Sequence, residues 1–493
     1  MSIPKGYFMS KISNKSSSND DFLSPDFCVI GAGSGGLSFA AGVVQMGATV
    51  ILIERSEMGG DCLNYGCVPS KALIAAAKSY HEIQKSSKFG WSCSSAKVDF
   101  KKVQKHVKDT IKKIAPNDSV ERFEKLGVHV IKSEAKFLDS DTVQAGKQKI
   151  RAKRFIVSTG SSPFVPDIKG INDVKYYTNE TIFDLKTLPK ELVIIGGGPI
   201  GIELAQSFLR FGSKVTVLEA FSALPKDDKE IVDRLKSTLT NEGLDLKESV
   251  QINEIKKSGR GAEIHFKHKN KKHIIKASHL LIAAGRRANL DSLNLDSANI
   301  EYTVRGIAVD RFLKTSNKRV FAIGDCIGGY QFTHVAAYHA GLAIRNSIFR
   351  LRSTIKTIQI PWVTYTDPEI AHVGFTQSEL EEQSMDHKIF SMDLSENDRA
   401  QAEHKTNGMI KVLVSPSGNV YGATIMGSGA GELILPWALA IQNNLKISAI
   451  AGLIAPYPTM SEISKRVAGE YFKDKIFGPF MQKMVKFLMR ITK

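Results

Sequence analysis

Short apolar runs that end at glycine clusters mark the first two thirds of the chain. Phe27-Cys28-Val29-Ile30 runs directly into GAGSGG, an Ala-rich stretch follows, and a second apolar run, ATVILIE, ends at Glu54. Runs this short, bounded by turn residues, read as buried strands, and the Ala-rich stretch between them as a helix. The pattern recurs: Leu192 to Ile195, then GGGPIG, then KVTVLE ending at Glu219. From first glycine to acid the spacing is 23 residues in both copies, Gly31 to Glu54 and Gly196 to Glu219. RFIVSTGSSP (Arg154 to Pro163) and LLIAAGRRAN (Leu280 to Asn289) read as further strands ending in small-residue turns. From about Ile358 strands and helices alternate. At the end, Lys483, Lys486, Arg490 and Lys493 recur at helical spacing opposite Met481, Met484, Leu488 and Ile491. That is a basic amphipathic helix.

These patterns predict an α/β fold with two Rossmann-like dinucleotide-binding units. Gly31, Gly33 and Gly36 form one GxGxxG turn, and Gly196, Gly198 and Gly201 the other. Glycines there let the backbone approach a pyrophosphate at a helix N-terminus, and the acid accepts from a ribose hydroxyl. Two units imply two adenine dinucleotides.

Composition narrows the picture. At 493 residues the chain has room for two to four domains. It has no apolar run of about 18 residues, the minimum for a membrane span. Five cysteines in such a chain do not make a secreted disulfide framework, so a cytoplasmic location is expected. The segment 1–24 is Ser- and Lys-rich, lacks an apolar core and reads as a disordered tail. The net charge of +17 is spread over helices and hairpins and reads as solvated faces, with no nucleic-acid partner expected. Residues from Tyr471 onward carry six basic side chains and one acid, which raises peripheral membrane contact through 480–493. Packing on a dimer is the alternative.

The chemistry centres on GGDCLNYGCVPSKAL, Gly59 to Leu73, where Cys62 and Cys67 sit at what reads as a helix start. The plainer readings of the pair are two reduced core cysteines or half of a metal site. No other Cys or His stands at ligand spacing in this stretch, so no metal site is assigned. Cys28, Cys93 and Cys326 read as packing residues.

With its flanking residues, this segment resembles the signature of the flavin disulfide reductases, the pyridine nucleotide-disulfide oxidoreductases, and the resemblance runs from about Asp26 to about Phe472. It implies FAD at the first glycine unit and a nicotinamide cofactor at the second. Glu219 would accept from a 2′-hydroxyl and repel a 2′-phosphate, and Ala220, Phe221 and Ser222 offer no phosphate clamp, so NAD is favoured over NADP. TSNKRVFAIGDC (Thr315 to Cys326) matches the second FAD motif, with Asp325 on the ribityl chain. Further cofactor contacts are implied at Gly60, Asp61, Lys71, Thr159, Gly160 and Gly285. The FAD domain is then discontinuous, 25–184 and 306–354, around an NAD(P) domain at 185–305. A dimerisation domain at 355–475 makes a homodimer, and 476–493 is the basic helix.

The resemblance also implies a redox-active Cys62–Cys67 disulfide. Cys62 would be the interchange thiol, Cys67 the flavin-facing thiol, and Lys71 the partner of a glutamate. Residues five apart on a regular helix point about 140° apart, so this bridge needs a distorted first turn near Gly66 and Pro69. A helix N-terminus and a nearby ammonium would lower a thiol's pKa.

One loop departs from the family pattern. YPTMSE places Tyr457 where disulfide-reducing members carry an acid-base His, with Glu462 retained. This loop is expected to reach the partner's site. A phenol is a poor base at neutral pH. Mercuric reductases also place Tyr there, but they end in a vicinal cysteine pair, whereas no cysteine follows Cys326 here. His334, His339 and His404 need no catalytic role. The expected function is an NADH-dependent, FAD-containing disulfide or dithiol oxidoreductase resembling dihydrolipoamide dehydrogenase. The alternatives are a mercuric reductase-like metal-ion reductase, or a membrane-associated flavoprotein that senses redox state with little turnover.

Overall fold

The structure is a computed structural model and describes residues 22–91, 93 and 96–492. The first glycine-terminated run forms the central strand of a five-stranded parallel sheet. Its order is Val320–Ala322, Arg154–Val157, Phe27–Ile30, Val50–Glu54, Val128–Lys132. All four residues of Phe27–Ile30 are buried: Phe27 and Val29 pack against helical residues such as Phe39 and Ala340, and Cys28 and Ile30 against a small layer of strands through Phe137, Val143 and Ile150. Each such side chain contributes roughly 1.5–3 kcal/mol.

The second run builds a sheet of the same kind: Tyr176–Tyr177, His279–Ile282, Glu191–Ile195, Lys214–Leu218, Asp245–Lys247, again all parallel. The chain leaves the first sheet after Arg154–Val157 and returns to it at Val320–Ala322, so the second unit sits within the first. The third sheet is antiparallel, in the order Trp362–Thr364, Glu369–Gly374, Val420–Gly427, Met409–Val414, Lys388–Asp393.

The domain limits move at several points. Phe22–Leu23, inside the segment expected to be a tail, is an edge strand against Gln148–Ile150. Residues 1–21 of that tail lie outside the described residues. Tyr176–Tyr177 belongs to the second sheet although it precedes 185. Ala288, Leu293, Ala298 and Ile300 pack in the first sheet's core with Cys28 and Phe155, so the chain rejoins the first unit before 306. Lys473–Phe477 is a short helix of its own across the 475/476 limit, and the terminal helix is Pro479–Ile491. Such boundaries depend on which core a residue joins, and local sequence carries little of that.

Buried ion pairs tie the units together. Arg210, on the helix after the second glycine turn, binds Glu242 at 2.7 Å and Asp367 of the third unit at 2.8 Å. Lys411, in the fully buried strand Met409–Val414, binds Asp228 at 2.9 Å.

Candidate functional site

The segment Gly60–Gln84 is two helices rather than one. Gly60–Asn64 stops at Tyr65, and Cys67–Gln84 begins after Gly66, whose backbone leaves the helical region at φ −115°, ψ −109°. A Cβ on Gly66 would lie 2.8 Å from an Asp61 carboxylate oxygen and 3.0 Å from the Asp61 carbonyl oxygen, so a side chain there would have to displace Asp61. The break puts Cys62 and Cys67 on different helices and lets their sulfurs meet, which a continuous helix would forbid. Both are free thiols here, with Cys62 half-buried and Cys67 exposed.

The two sulfurs divide one proton unequally. The Cys62 S–H hydrogen-bonds to Cys67 and draws its pKa down; burial opposes this, and the Thr333 hydroxyl, 3.3 Å from Cys67 Sγ, and the Lys71 charge assist. Cys67 is thereby brought down to about 6. Donation to Cys67 and burial push the Cys62 thiol up. At neutral pH the anion therefore rests on Cys67.

Lys71 stands one turn into the cysteine helix. Its Nζ is 2.8 Å from Glu203 Oε2 and 4.2 Å from the Tyr365 ring centroid. Burial lowers the Lys71 pKa, but Glu203 outweighs it and the net direction is up. Glu203 is itself buried, and its other oxygen accepts from the Tyr365 amide at 2.8 Å. Each acceptor thus has a partner.

The glycine turns form two matching cradles. A Cβ at Gly31 (φ +103°) would sit 2.4 Å from Ser158 O, and one at Gly36 would sit 1.9 Å from Gly31 O. Gly196 and Gly201 meet the same obstruction, at 2.3 Å from Ala283 O and 2.0 Å from Gly196 O. Gly33 and Gly198, the middle glycines, face open space within 4 Å. Each is also the N-cap of a helix with no side-chain cap and no acid in its first turn. Free amides over open space fit a pyrophosphate at both turns. Glu54 accepts from Ala32 N at 2.6 Å, and Glu219 from Gly197 N at 2.5 Å, which fixes each acid beside its turn.

Asp325 and Asp61 meet through a residue that sequence reading did not single out. Arg286 Nε donates to Ser161 Oγ at 2.7 Å, and its guanidinium lies 3.2 Å from Asp61 Oδ1 and 4.0 Å from Asp325. Ser161 Oγ donates to Asp325 at 2.7 Å. Burial raises the Asp325 pKa, opposed by Ser161 and Arg286. Thr159 donates to Asn289 O at 2.8 Å, while Gly160 (φ +69°) and Gly285 (φ +120°) form the turns on either side. A Cβ on Gly60 would lie 2.8 Å from Gly33 Cα, so Gly60 and Asp61 border the first cradle.

The C-terminal loop stands apart from the cysteines within this chain. Tyr457 is 69% exposed, and its hydroxyl donates to Asp398 Oδ2 at 2.9 Å. That bond, then the charges of Asp398 and Glu462, raises the phenol's pKa. Glu462 begins the helix Glu462–Glu470.

Glu203, Thr333, Tyr365 and Arg286 were missed at the sequence level. Glu203 left a trace, as a carboxylate among Ile202, Leu204 and Ala205 on a helix that must be buried; the other three left none. His334 turns to the Pro361 carbonyl at 2.8 Å, and buried His339 lies 3.3 Å from the Gly324 amide. Cys28 and Cys326 are buried, but Cys93 is exposed, which corrects its reading as a packing residue.

The comparisons with known proteins agree with this geometry. Residues 25–340 match the family model described as pyridine nucleotide-disulphide oxidoreductase, and residues 360–468 match that family's dimerisation domain. A mercuric reductase of Bacillus cereus is 35% identical over 452 residues, 91% of this chain and 72% of that protein. A dihydrolipoyl dehydrogenase of Geobacillus stearothermophilus is 33% identical over 458 residues, 91% of this chain and 96% of its own length. Among solved structures, the Cu(II) complex of the HOCl-induced flavoprotein disulfide reductase RclA from Escherichia coli superposes with a TM-score of 0.82 at 26% identity. The match covers 91% of this chain and 99% of that one.

Proposed function

This chain belongs to the pyridine nucleotide-disulphide oxidoreductase family, and from that premise we propose that it passes electrons from NADH through Cys67 and Cys62 to a small acceptor. Its class is that of FAD-dependent oxidoreductases acting on sulfur groups, with NAD(P)H as partner. The dimerisation domain makes it a homodimer. The observation that carries the finer proposal is the asymmetric thiol pair across the Gly66 break, with Lys71 and Thr333 beside Cys67.

FAD bound over the Gly31–Gly36 cradle, and NADH over Gly196–Gly201, would supply the electron pair that reduces the cysteine pair. The chain's residues do the rest. Gly33 and Gly198 would offer their amides to the phosphates, and Glu54 and Glu219 would accept from ribose hydroxyls. Asp325, Ser161, Arg286, Asp61, Gly60, Thr159, Gly160 and Gly285 border the first cradle and its crossing to the second. Lys71, held by Glu203, keeps a positive charge near the Cys67 thiolate. Glu219 and the uncharged Ala220–Ser222 support NADH over NADPH.

Towards a disulfide acceptor, Cys62 loses its proton and attacks one sulfur, and the other acceptor sulfur leaves as thiolate. Cys67 thiolate then attacks Cys62, the disulfide re-forms and the second acceptor sulfur leaves. One dithiol is oxidised and one disulfide reduced. The Cys62 proton has to be removed, and Tyr457, a protonated phenol whose pKa is raised and whose O–H donates to Asp398, is a poor base. Tyr457 and Glu462 would act on the second subunit's pair, as proton donor and its orienting acid. Slow turnover of ordinary disulfides follows. The mercuric reductase relatives and Tyr457 support a second reading in which a soft metal ion is the acceptor, since thiolates bind such ions.

Anaerobic titration of the purified yellow protein with NADH tests the relay. One equivalent should produce a long-wavelength thiolate–flavin absorption band that Cys67→Ser abolishes, whereas Cys62→Ser, which cannot form the disulfide, should show the band before NADH is added. No band in the wild type would remove the relay. Hg(II)-dependent NADH or NADPH oxidation separates the metal-ion reading from a disulfide panel.

A further inference from the structure

We propose that the terminal helix Pro479–Ile491 lies on an anionic lipid surface, holding this oxidoreductase at a membrane face. The helix buries none of its residues. Phe480 is 78% exposed, Phe487 62% and Met489 71%, and Met484, Val485, Leu488 and Ile491 are exposed beside them. At about 100° per residue, Gln482, Lys483, Lys486 and Arg490 gather on one side, and the apolar side chains fill an arc of roughly 200°. Contiguous apolar surface of this kind marks an interaction site.

Three observations choose the occupant. First, the dimerisation module ends at residue 468, before the helix begins, so the family's subunit interface does not call for it. Second, Phe477–Lys493 contains no acidic residue, and Lys483, Lys486 and Arg490 make its polar side basic. An anionic headgroup layer offers the complementary charge. Third, the apolar arc is too wide for a coiled-coil seam but suits burial to the helix axis in an interface, with the basic face toward headgroups. No described helix is long and apolar enough to cross a membrane, so the attachment is peripheral.

The test is flotation of the full-length, FAD-loaded protein with vesicles of phosphatidylcholine containing about one third phosphatidylglycerol, and of phosphatidylcholine alone. The wild type should float with the mixed vesicles at about 0.05 M salt, at least about tenfold more than with neutral vesicles, and lose most of that binding near 1 M salt. K483E/K486E/R490E and Phe480→Ser/Phe487→Ser should each lose at least about tenfold while NADH oxidation is unchanged, which shows that the fold survives. No flotation of the wild type overturns the proposal, as does charge reversal that binds equally well. So does an assembly larger than a dimer that the variants dissolve while vesicles bind nothing, since a second copy would then cover the face.

Discussion

Thr333→Val should raise the pH at which the cysteine pair becomes nucleophilic. Cys67 is drawn from 9.0 to about 6 chiefly by the Cys62 S–H, against burial, and then by the Thr333 hydroxyl and Lys71. A hydrogen bond to a charged group contributes about 1.5–3 kcal/mol, and one pKa unit corresponds to about 1.4 kcal/mol. Both Thr333 and Cys67 are exposed, and solvent screening leaves the lower end of that range, a rise of about one unit. Near a midpoint of 6, roughly ten pairs in eleven carry the thiolate at pH 7; after the substitution roughly half do. The sign is fixed: losing a donor to the anion raises the pKa, so reactivity at neutral pH falls. The assay is alkylation of the anaerobically reduced protein by iodoacetamide from about pH 5 to pH 9, with Cys67 labelling read by peptide mass. The midpoint belongs to the first deprotonation of the pair. Thr333→Ser, which keeps the hydroxyl, should retain the wild-type midpoint. A Thr333→Val midpoint at or below that of the wild type would refute the assignment of the Thr333 hydroxyl.

Other perturbations test separate parts of the argument. Glu203→Ala leaves Lys71 and the Tyr365 amide without their acceptor and should cost about 2–3 kcal/mol, below the range of about 3–5 kcal/mol for breaking a fully buried pair because Lys71 is partly exposed; a loss under about 1 kcal/mol in denaturant unfolding would show that water replaces Glu203. Burial holds His339 and His372 down to about 4, so the unfolded chain binds more protons below its pKa of about 6.5. Their contribution is whole above that pH and lost as pH falls toward 4, up to roughly 3 kcal/mol each; unfolding midpoints should drop from pH 7 to pH 5, and less so in His372→Gln. Tyr457→His restores a base and should raise NADH-driven lipoamide reduction about 10²-fold in steady-state assays, whereas an unchanged rate would show that proton removal from Cys62 is not limiting. Glu219→Ala should lower kcat/KM for NADH about tenfold and for NADPH by far less, giving a changed ratio rather than a general loss.

Local rules made much of the scaffold legible. Apolar runs ending at Gly31 and Gly196, each with an acid 23 residues on, specify strand, turn, helix and strand, because the glycine steps and strand burial are short-range constraints. The helix break between the cysteines was legible for the same reason: Gly66 lies in the segment it deforms. Other features depend on contacts between distant residues. Glu203 meets Lys71 across 132 positions, Thr333 meets Cys67 across 266, and Arg286 joins Asp61 to Asp325 only after the second unit closes on the first. Which sulfur holds the negative charge was decided there too. Sequence placed two cysteines at a helix end, but the proton's position follows from the angle between two helices, the hydroxyl of a third and an ammonium held by a fourth. The sequence alone placed the cysteine pair and the two glycine turns, because each is a local pattern. Only the tertiary structure decided how the pair is charged, because electrostatic energy depends on distance in space rather than along the chain.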